Sequence, residues 1–103
     1  MICVSIIYPN NPDSTFDRAY YVEKHLPLAG RLFGAYGLTK AEVLNGKPGL
    51  DGSKPAYHVM ANLYFDSVES AQNALAKHGA EVMADIPNYT NVQPLVYVGE
   101  VSA

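Results

Sequence analysis

Residues 56–65 read A-Y-H-V-M-A-N-L-Y-F, ten positions without a glycine, a proline or a charged acid. The run alternates. Tyr57, Val59, Ala61, Leu63 and Phe65 fall on one face of an extended chain, and His58, Met60, Asn62 and Tyr64 on the other. The first face suits packing against helices; the second mixes polar and aromatic groups. The spacing therefore predicts a strand in a sheet with helices on one side only.

Working outward, Asp66 or Ser67 is placed to cap a helix, and Val68, Ala71, Leu75 and Val82 recur at helical spacing. The segment Asp85-Ile86-Pro87-Asn88-Tyr89 ends that helix, and residues 93–101 form a last strand. In the other direction, residues 46–55 hold glycine, proline, aspartate and serine and read as a loop. Residues 38–45 form a strand, and Gly37 before them is a helix-ending residue. A helix capped by Ser14 or Thr15, with Asp17 in its first turn, runs through Phe16, Ala19, Tyr20 and Val22 to His25. Pro27 breaks or kinks it, and residues 28–36 resume it. The β-branched run at 2–8 is a buried strand, closed by Pro9-Asn10-Asn11-Pro12. The order β-α-β-β-α-β, with both helices on one face of an antiparallel sheet, predicts an α+β, ferredoxin-like fold and a single domain over residues 1–103.

Composition narrows the function classes. The net charge of −3 comes with no basic cluster, so nucleic acid and anionic membrane are poor partners. Cys3 is the single cysteine, so no intrachain disulfide forms; inert packing in the first strand is its expected role. With no leader-like segment and no apolar run of membrane length, the reading is a cytoplasmic protein. Eight tyrosines and no tryptophan suit pocket walls and interfaces, where an apolar ring carries a hydroxyl. A chain of 103 residues buries a modest share of its surface, and the sheet face bearing Met60 and Tyr64 needs a cover. A second copy related by a two-fold axis supplies one, which predicts a homodimer.

Three motifs in order resemble a known family. A strand ending in Tyr8-Pro9 precedes Phe16-Asp17-x-x-Tyr20-Tyr21-x-x-x-His25-x-Pro27-Leu28. Tyr64-Phe65-Asp66-Ser67 and Ala84-Asp85-Ile86-Pro87-Asn88-Tyr89-Thr90 follow. Over nearly the whole chain this pattern resembles the EthD (ethyl tert-butyl ether degradation) family of dimeric α+β barrel proteins. One departure is Tyr21, where that family often has tryptophan; an aromatic wall is kept, with a different volume and an added hydroxyl. The resemblance implies a homodimer, an interior pocket lined by the motif histidine, and a link to oxidative degradation. Related barrels include cofactor-free cyclases and dehydratases, muconolactone isomerases, and quinone-forming and haem-degrading monooxygenases, so fold alone does not choose the chemistry.

His25 leads the chemical candidates as a general acid or base with a pKa near neutrality. The alternative is a helix-terminal histidine serving the dipole. His58, mid-strand on the mixed face, is a second acid–base candidate or an interface residue. Tyr21 shares a helix face with His25 and reads as a pocket wall, while Tyr20 packs in the core one turn after Phe16. Met60, Asn62 and Tyr64 are candidate substrate contacts, or else interface residues. His78 reads as a helix C-terminal group; with Glu81 and Asp85 it shares a helix face, but the spacing matches no metal motif. No glycine-rich phosphate loop, serine elbow or dinucleotide fingerprint occurs, so no cofactor and no metal are indicated.

The leading expectation is a small cofactor-independent enzyme of catabolic or secondary metabolism. In it His25 moves a proton on a hydrophobic, oxygenated ring compound by isomerisation, cyclisation, dehydration or O2-dependent oxidation. The alternative is a non-catalytic accessory or metabolite-binding protein of a monooxygenase system. A haem-degrading barrel is weakened by the missing tryptophan. An RNA-recognition domain shares the element order but expects a basic, glycine-containing aromatic motif on its third strand.

Overall fold

A computed structural model describes residues 1–102. Four strands, β1 (Ile2–Pro9), β2 (Leu38–Asn45), β3 (Tyr57–Phe65) and β4 (Leu95–Glu100), pair in the order β2-β3-β1-β4. Every pairing is antiparallel. A helical run and a long helix, α3 (Val68–Ala84), cover one face. This is the α+β, ferredoxin-like arrangement.

The alternation of β3 holds from Val59 onward: Val59, Ala61, Leu63 and Phe65 are buried, while Met60, Asn62 and Tyr64 are half-buried on the far side. His58, expected on that far side, instead turns to Phe16, which packs against Tyr8 and Tyr21 under the helices. Tyr57 departs from it and is exposed, because the register against β1 shifts between Tyr8 and Pro9. Under the helices, Val4, Leu63 and Phe65 of the sheet meet Ala29, Phe33, Ala71, Ala74 and Val82.

The first helical run differs from the expected broken helix. It proceeds without interruption through α1 (Arg18–Tyr20), a π-helical turn (Tyr21–His25) and α2 (Leu26–Phe33). Its cap is Asp17, whose side chain accepts from the Tyr20 N–H at 3.0 Å; Ser14 and Thr15 lie outside it. Phe16 is not helical but bridges to Thr90. Pro27 sits in the first turn of α2, the position where a missing N–H costs least. The π turn before it carries the Leu26 N–H to the carbonyl of Tyr21 and widens the coil ahead of the ring. A 3-10 turn (Gly34–Tyr36) then leads to Gly37 at φ 86°, the expected left-handed terminator.

On α3, Ser67 is the cap, accepting from Ser70 N–H. The buried stripe is Ala71, Ala74, Gly79 and Val82, and Val68 and Leu75 stay exposed. Ala71 and Val82 are buried as expected, while the small Ala74 and Gly79 take the places expected for Val68 and Leu75. The last strand begins at Leu95, two residues late, because Pro94 has no N–H for the ladder.

The face away from the helices is open. One row across it is Leu44, Met60, Ile7 and Leu95; the next is Glu42, Asn62, Ser5 and Tyr97. Cys3, expected in the core, lies half-buried on this face, 3.7 Å from Ser5 Oγ.

Candidate functional site

The site grows from the π turn. Its two buried side chains, Tyr21 and His25, are four residues apart and stack, with ring centroids 5.4 Å apart and planes inclined by 17°. His25 is 5% exposed, so both ring nitrogens need partners within the protein.

They find them at the end of α3. Nδ1 lies 3.0 Å from Asp85 Oδ2, and Nε2 lies 3.2 Å from the Tyr89 hydroxyl. The Tyr89 hydroxyl is in turn 2.7 Å from that of Tyr8. Asp85 is itself held: the Tyr20 hydroxyl and the Asn88 amide donate to its Oδ1 at 2.7 and 2.9 Å. Three segments therefore converge, the π turn, the 3-10 turn Ile86–Asn88 with its flanks, and the end of β1.

Electrostatics fix the protons in this chain. Burial lowers the His25 pKa, opposed in part by the Asp85 carboxylate, so the ring is neutral at pH 7. Burial works to raise the Asp85 pKa, but hydrogen bonds from Asn88, Tyr20 and His25 outweigh it and hold the carboxyl below its usual range. A carboxylate only accepts, so the neutral imidazole carries its proton on Nδ1. Nε2 is then an acceptor for the Tyr89 O–H, and Tyr89 oxygen accepts from the Tyr8 O–H. Burial raises the Tyr8, Tyr21 and Tyr89 pKa values, so all three phenols stay protonated.

Beside this array lies a cavity of about 30 Å³ between sheet and helices, bounded at its polar end by Tyr8, Tyr21 and His25. It adjoins an apolar chamber of about 160 Å³ between α2 and β2.

The residues expected from sequence do not all meet here. His25 and Tyr21 do. His58 does not join the chain of hydrogen bonds: its Nε2 lies 2.8 Å from Ser14 Oγ, and its ring stacks on Phe16 at 5.6 Å. Burial, then the Arg18 charge, lower its pKa. Phe16 separates the two histidines, with its ring 5.1 Å from Tyr21 on the other side. Met60, Asn62 and Tyr64 belong to the open face, with the sheet between them and His25. There Asn62 and Tyr64 both donate to Glu42 Oε1, at 3.2 and 3.1 Å, and Ser5 donates to Asn62 Oδ1 at 2.7 Å. Tyr20, read as a core residue, spends its hydroxyl on Asp85.

Asp85, Tyr89 and Tyr8 were missed as partners of His25. For Asp85 and Tyr89 the sequence signal is the dense motif Asp85-Ile86-Pro87-Asn88-Tyr89 after the helix; for Tyr8 it is the Tyr8-Pro9 end of the first strand. His78 approaches Glu81 at 3.8 Å, whereas Asp85 turns to His25. Among the described residues no group of three or more histidine, cysteine or acidic side chains is placed to hold a metal. None of the described helices is long and apolar enough to cross a membrane.

Comparison with known proteins agrees with this architecture. The EthD domain pattern matches residues 12–93. An EthD-like protein of Ralstonia eutropha JMP134 superimposes with a TM-score of 0.91 at 34% identity, over 99% of this chain and 92% of that one. An EthD family protein of Bacillus halodurans C-125 shares the fold with a TM-score of 0.79 at 20% identity, over 99% of both chains. The uncharacterized 11.0 kDa protein in the thcB-thcC intergenic region of Rhodococcus erythropolis is 28% identical over 92 residues, 88% of this chain and 85% of that protein. The chain belongs to the EthD family.

Proposed function

We propose that the chain is a small cofactor-independent enzyme that moves a proton on a hydrophobic, oxygenated ring compound, with His25 as the group that stores the proton. The observation that carries this reading is the ordered array Asp85–His25–Tyr89–Tyr8 ending at an apolar cavity. The accounting is simple. An acidic proton of the ligand passes to Tyr8 oxygen as the Tyr8 proton moves to Tyr89 and the Tyr89 proton moves to Nε2. One proton is transferred, both phenols stay neutral, and the imidazolium formed lies against the Asp85 carboxylate. Reversal of the same path returns a proton to a different atom of the ligand, which is an isomerisation, or to a leaving hydroxyl, which is a dehydration. The subunit works as a homodimer in this reading. Structural likeness to a dimeric ferredoxin-like protein from an uncultured marine organism, TM-score 0.57 at 13% identity, supports only the fold on which such a dimer is built.

One observation favours the second reading, a binding or accessory protein of an oxidative degradation system. Nε2 is already occupied by Tyr89, and the cavity at His25 is little larger than a water. Proton–deuterium exchange separates the two. Hydroxylated aromatics, cyclic ketones and lactones are incubated in D2O with wild type and with His25→Gln, and incorporation is followed by NMR. The enzyme reading expects exchange catalysed by wild type and slowed about 10²–10⁴-fold in the variant. Binding of a ligand with equal exchange in both proteins leaves the accessory reading.

A further inference from the structure

The cavity at His25 and the chamber between α2 and β2 share four walls: Leu26, Ala29, Phe33 and Leu63. The inner space, about 30 Å³, holds one water-sized group. The outer space, about 160 Å³, is close to the roughly 150 Å³ that accepts a benzene ring in an apolar cavity. No charged side chain lines the outer chamber, and no polar one either; Ala41, Val43 and Leu38 of β2 complete it. Its mouth is set by small residues on both sides, Gly30 of α2 and Ala41 of β2. A methyl group at Gly30 would meet nothing within 4 Å, so the opening there is real space.

We propose that the chamber is the binding site for an uncharged single-ring compound bearing one oxygen, entered between Gly30 and Ala41. The ring fills the outer chamber, and its hydroxyl or carbonyl oxygen occupies the inner space against Tyr8, Tyr21 and His25. Charge is excluded because an ion there would lose its hydration with no partner in the wall. The volume matches one ring better than two fused ones. The oxygen is required because the inner space ends in hydroxyls and an imidazole. The inference rests on the acid–base reading only for what the oxygen meets.

The test uses 4-methylphenol, with 4-methylbenzoate as its charged counterpart, at pH 7. Wild type is titrated with each while the methyl signals of Ala29 and Ala41 are followed by NMR. The expected result is a saturable shift of both methyls with 4-methylphenol and none with 4-methylbenzoate. Ala41→Phe and Gly30→Leu, which narrow the mouth from separate elements at exposed positions, weaken 4-methylphenol binding at least about tenfold. Thermal melts confirm that both variants fold. The inference is overturned if the methyls do not move, if both variants bind as wild type does, or if the carboxylate binds equally well. Binding in the chamber without isotope exchange supports the chamber and counts against the acid–base reading alone.

Discussion

The Nδ1–H of His25 has Asp85 Oδ2 as its acceptor at 3.0 Å, and that carboxylate also takes donors from Tyr20 and Asn88. Asp85→Ala strips all three of their partner. Unfolding in urea should show a loss of about 1–3 kcal/mol, the cost of leaving the buried His25 Nδ1–H unmade, because Asn88 is exposed and Tyr20 half-buried and both can turn to water. Tyr89→Phe keeps the ring packed on Tyr8, Tyr21 and His25 but removes the hydroxyl that joins Tyr8 to Nε2. Isotope exchange should fall in this variant as far as in His25→Gln, while its near-ultraviolet circular dichroism keeps the wild-type shape; exchange at the wild-type rate would remove Tyr89 from the path. The pH dependence has a definite sign. His25 has a folded pKa below its ordinary value of 6.5, so the unfolded chain binds more protons between those two values. Stability from this group is complete above pH 6.5 and is lost as pH falls from there through the folded pKa. Asp85, depressed below 3.8, contributes a separate loss only in stronger acid. Urea midpoints measured from pH 8 to 5 should therefore decline in wild type and flatten in His25→Gln. At this scale the sequence revealed His25 and Tyr21, because they lie in one helical motif. It could not reveal Asp85 or Tyr89, because pairing across 60 and 64 residues is decided by how α3 ends, not by any local period.

At the level of elements, legibility followed the strength of local rules. β3 was readable because alternation, branched residues and absent breakers agreed. α3 was readable as a helix, with Val68, Ala71, Leu75 and Val82 as its expected stripe. Ala71 and Val82 of that stripe are buried, but the close approach of helix to sheet takes Ala74 and Gly79 in place of Val68 and Leu75. The sequence predicts a break or kink at Pro27; its position in the first turn of α2, behind a π turn, satisfies the backbone without a break. Two glycines make contrasting predictions. At Gly37, φ is 86° and an added Cβ would stand 2.8 Å from Ser70 Cβ and 2.9 Å from Asp66 Oδ1. Gly37→Ala combines a strained backbone with a clash and should lower stability by about 1–3 kcal/mol. Gly30 lies inside α2 with ordinary helical geometry and open space around it. Gly30→Ala should raise stability by about 0.5–1 kcal/mol through helix propensity alone. A pair of urea curves checks both signs at once.

For the whole molecule, the question is what covers the open sheet face. The subunit is a slab of 38 × 33 × 19 Å with a radius of gyration of 13.9 Å. A compact chain of this length has about 12.8 Å. Its accessible surface, 6296 Å², exceeds the roughly 5,700 Å² typical of a folded monomer of 11.2 kDa. The surplus, roughly 600 Å², approaches the ~800 Å² each partner gives to a stable interface. On the open face itself β4 presents Leu95, half exposed, and Tyr97, 67% exposed. The polar row of that face does not forbid covering it. Glu42, Asn62, Tyr64 and Ser5 already satisfy one another, so burial strands few groups. The sequence predicts face-to-face pairing with a second copy from Met60 and Tyr64, with His58 and Asn62 beside them, and the exposed Leu95 and Tyr97 strengthen that proposal. Sedimentation of wild type should give a mass of two chains. Tyr97→Glu places a charge at the row of Glu42 and Asn62, repeated twice by the two-fold axis, and should shift the species to a monomer at the same concentration. Tyr97 contributes little to its own subunit's core, so the far-ultraviolet spectrum should hold while the mass halves. A wild type that sediments as one chain would leave the open face without this cover, and a dimer untouched by Tyr97→Glu would move the interface to another surface.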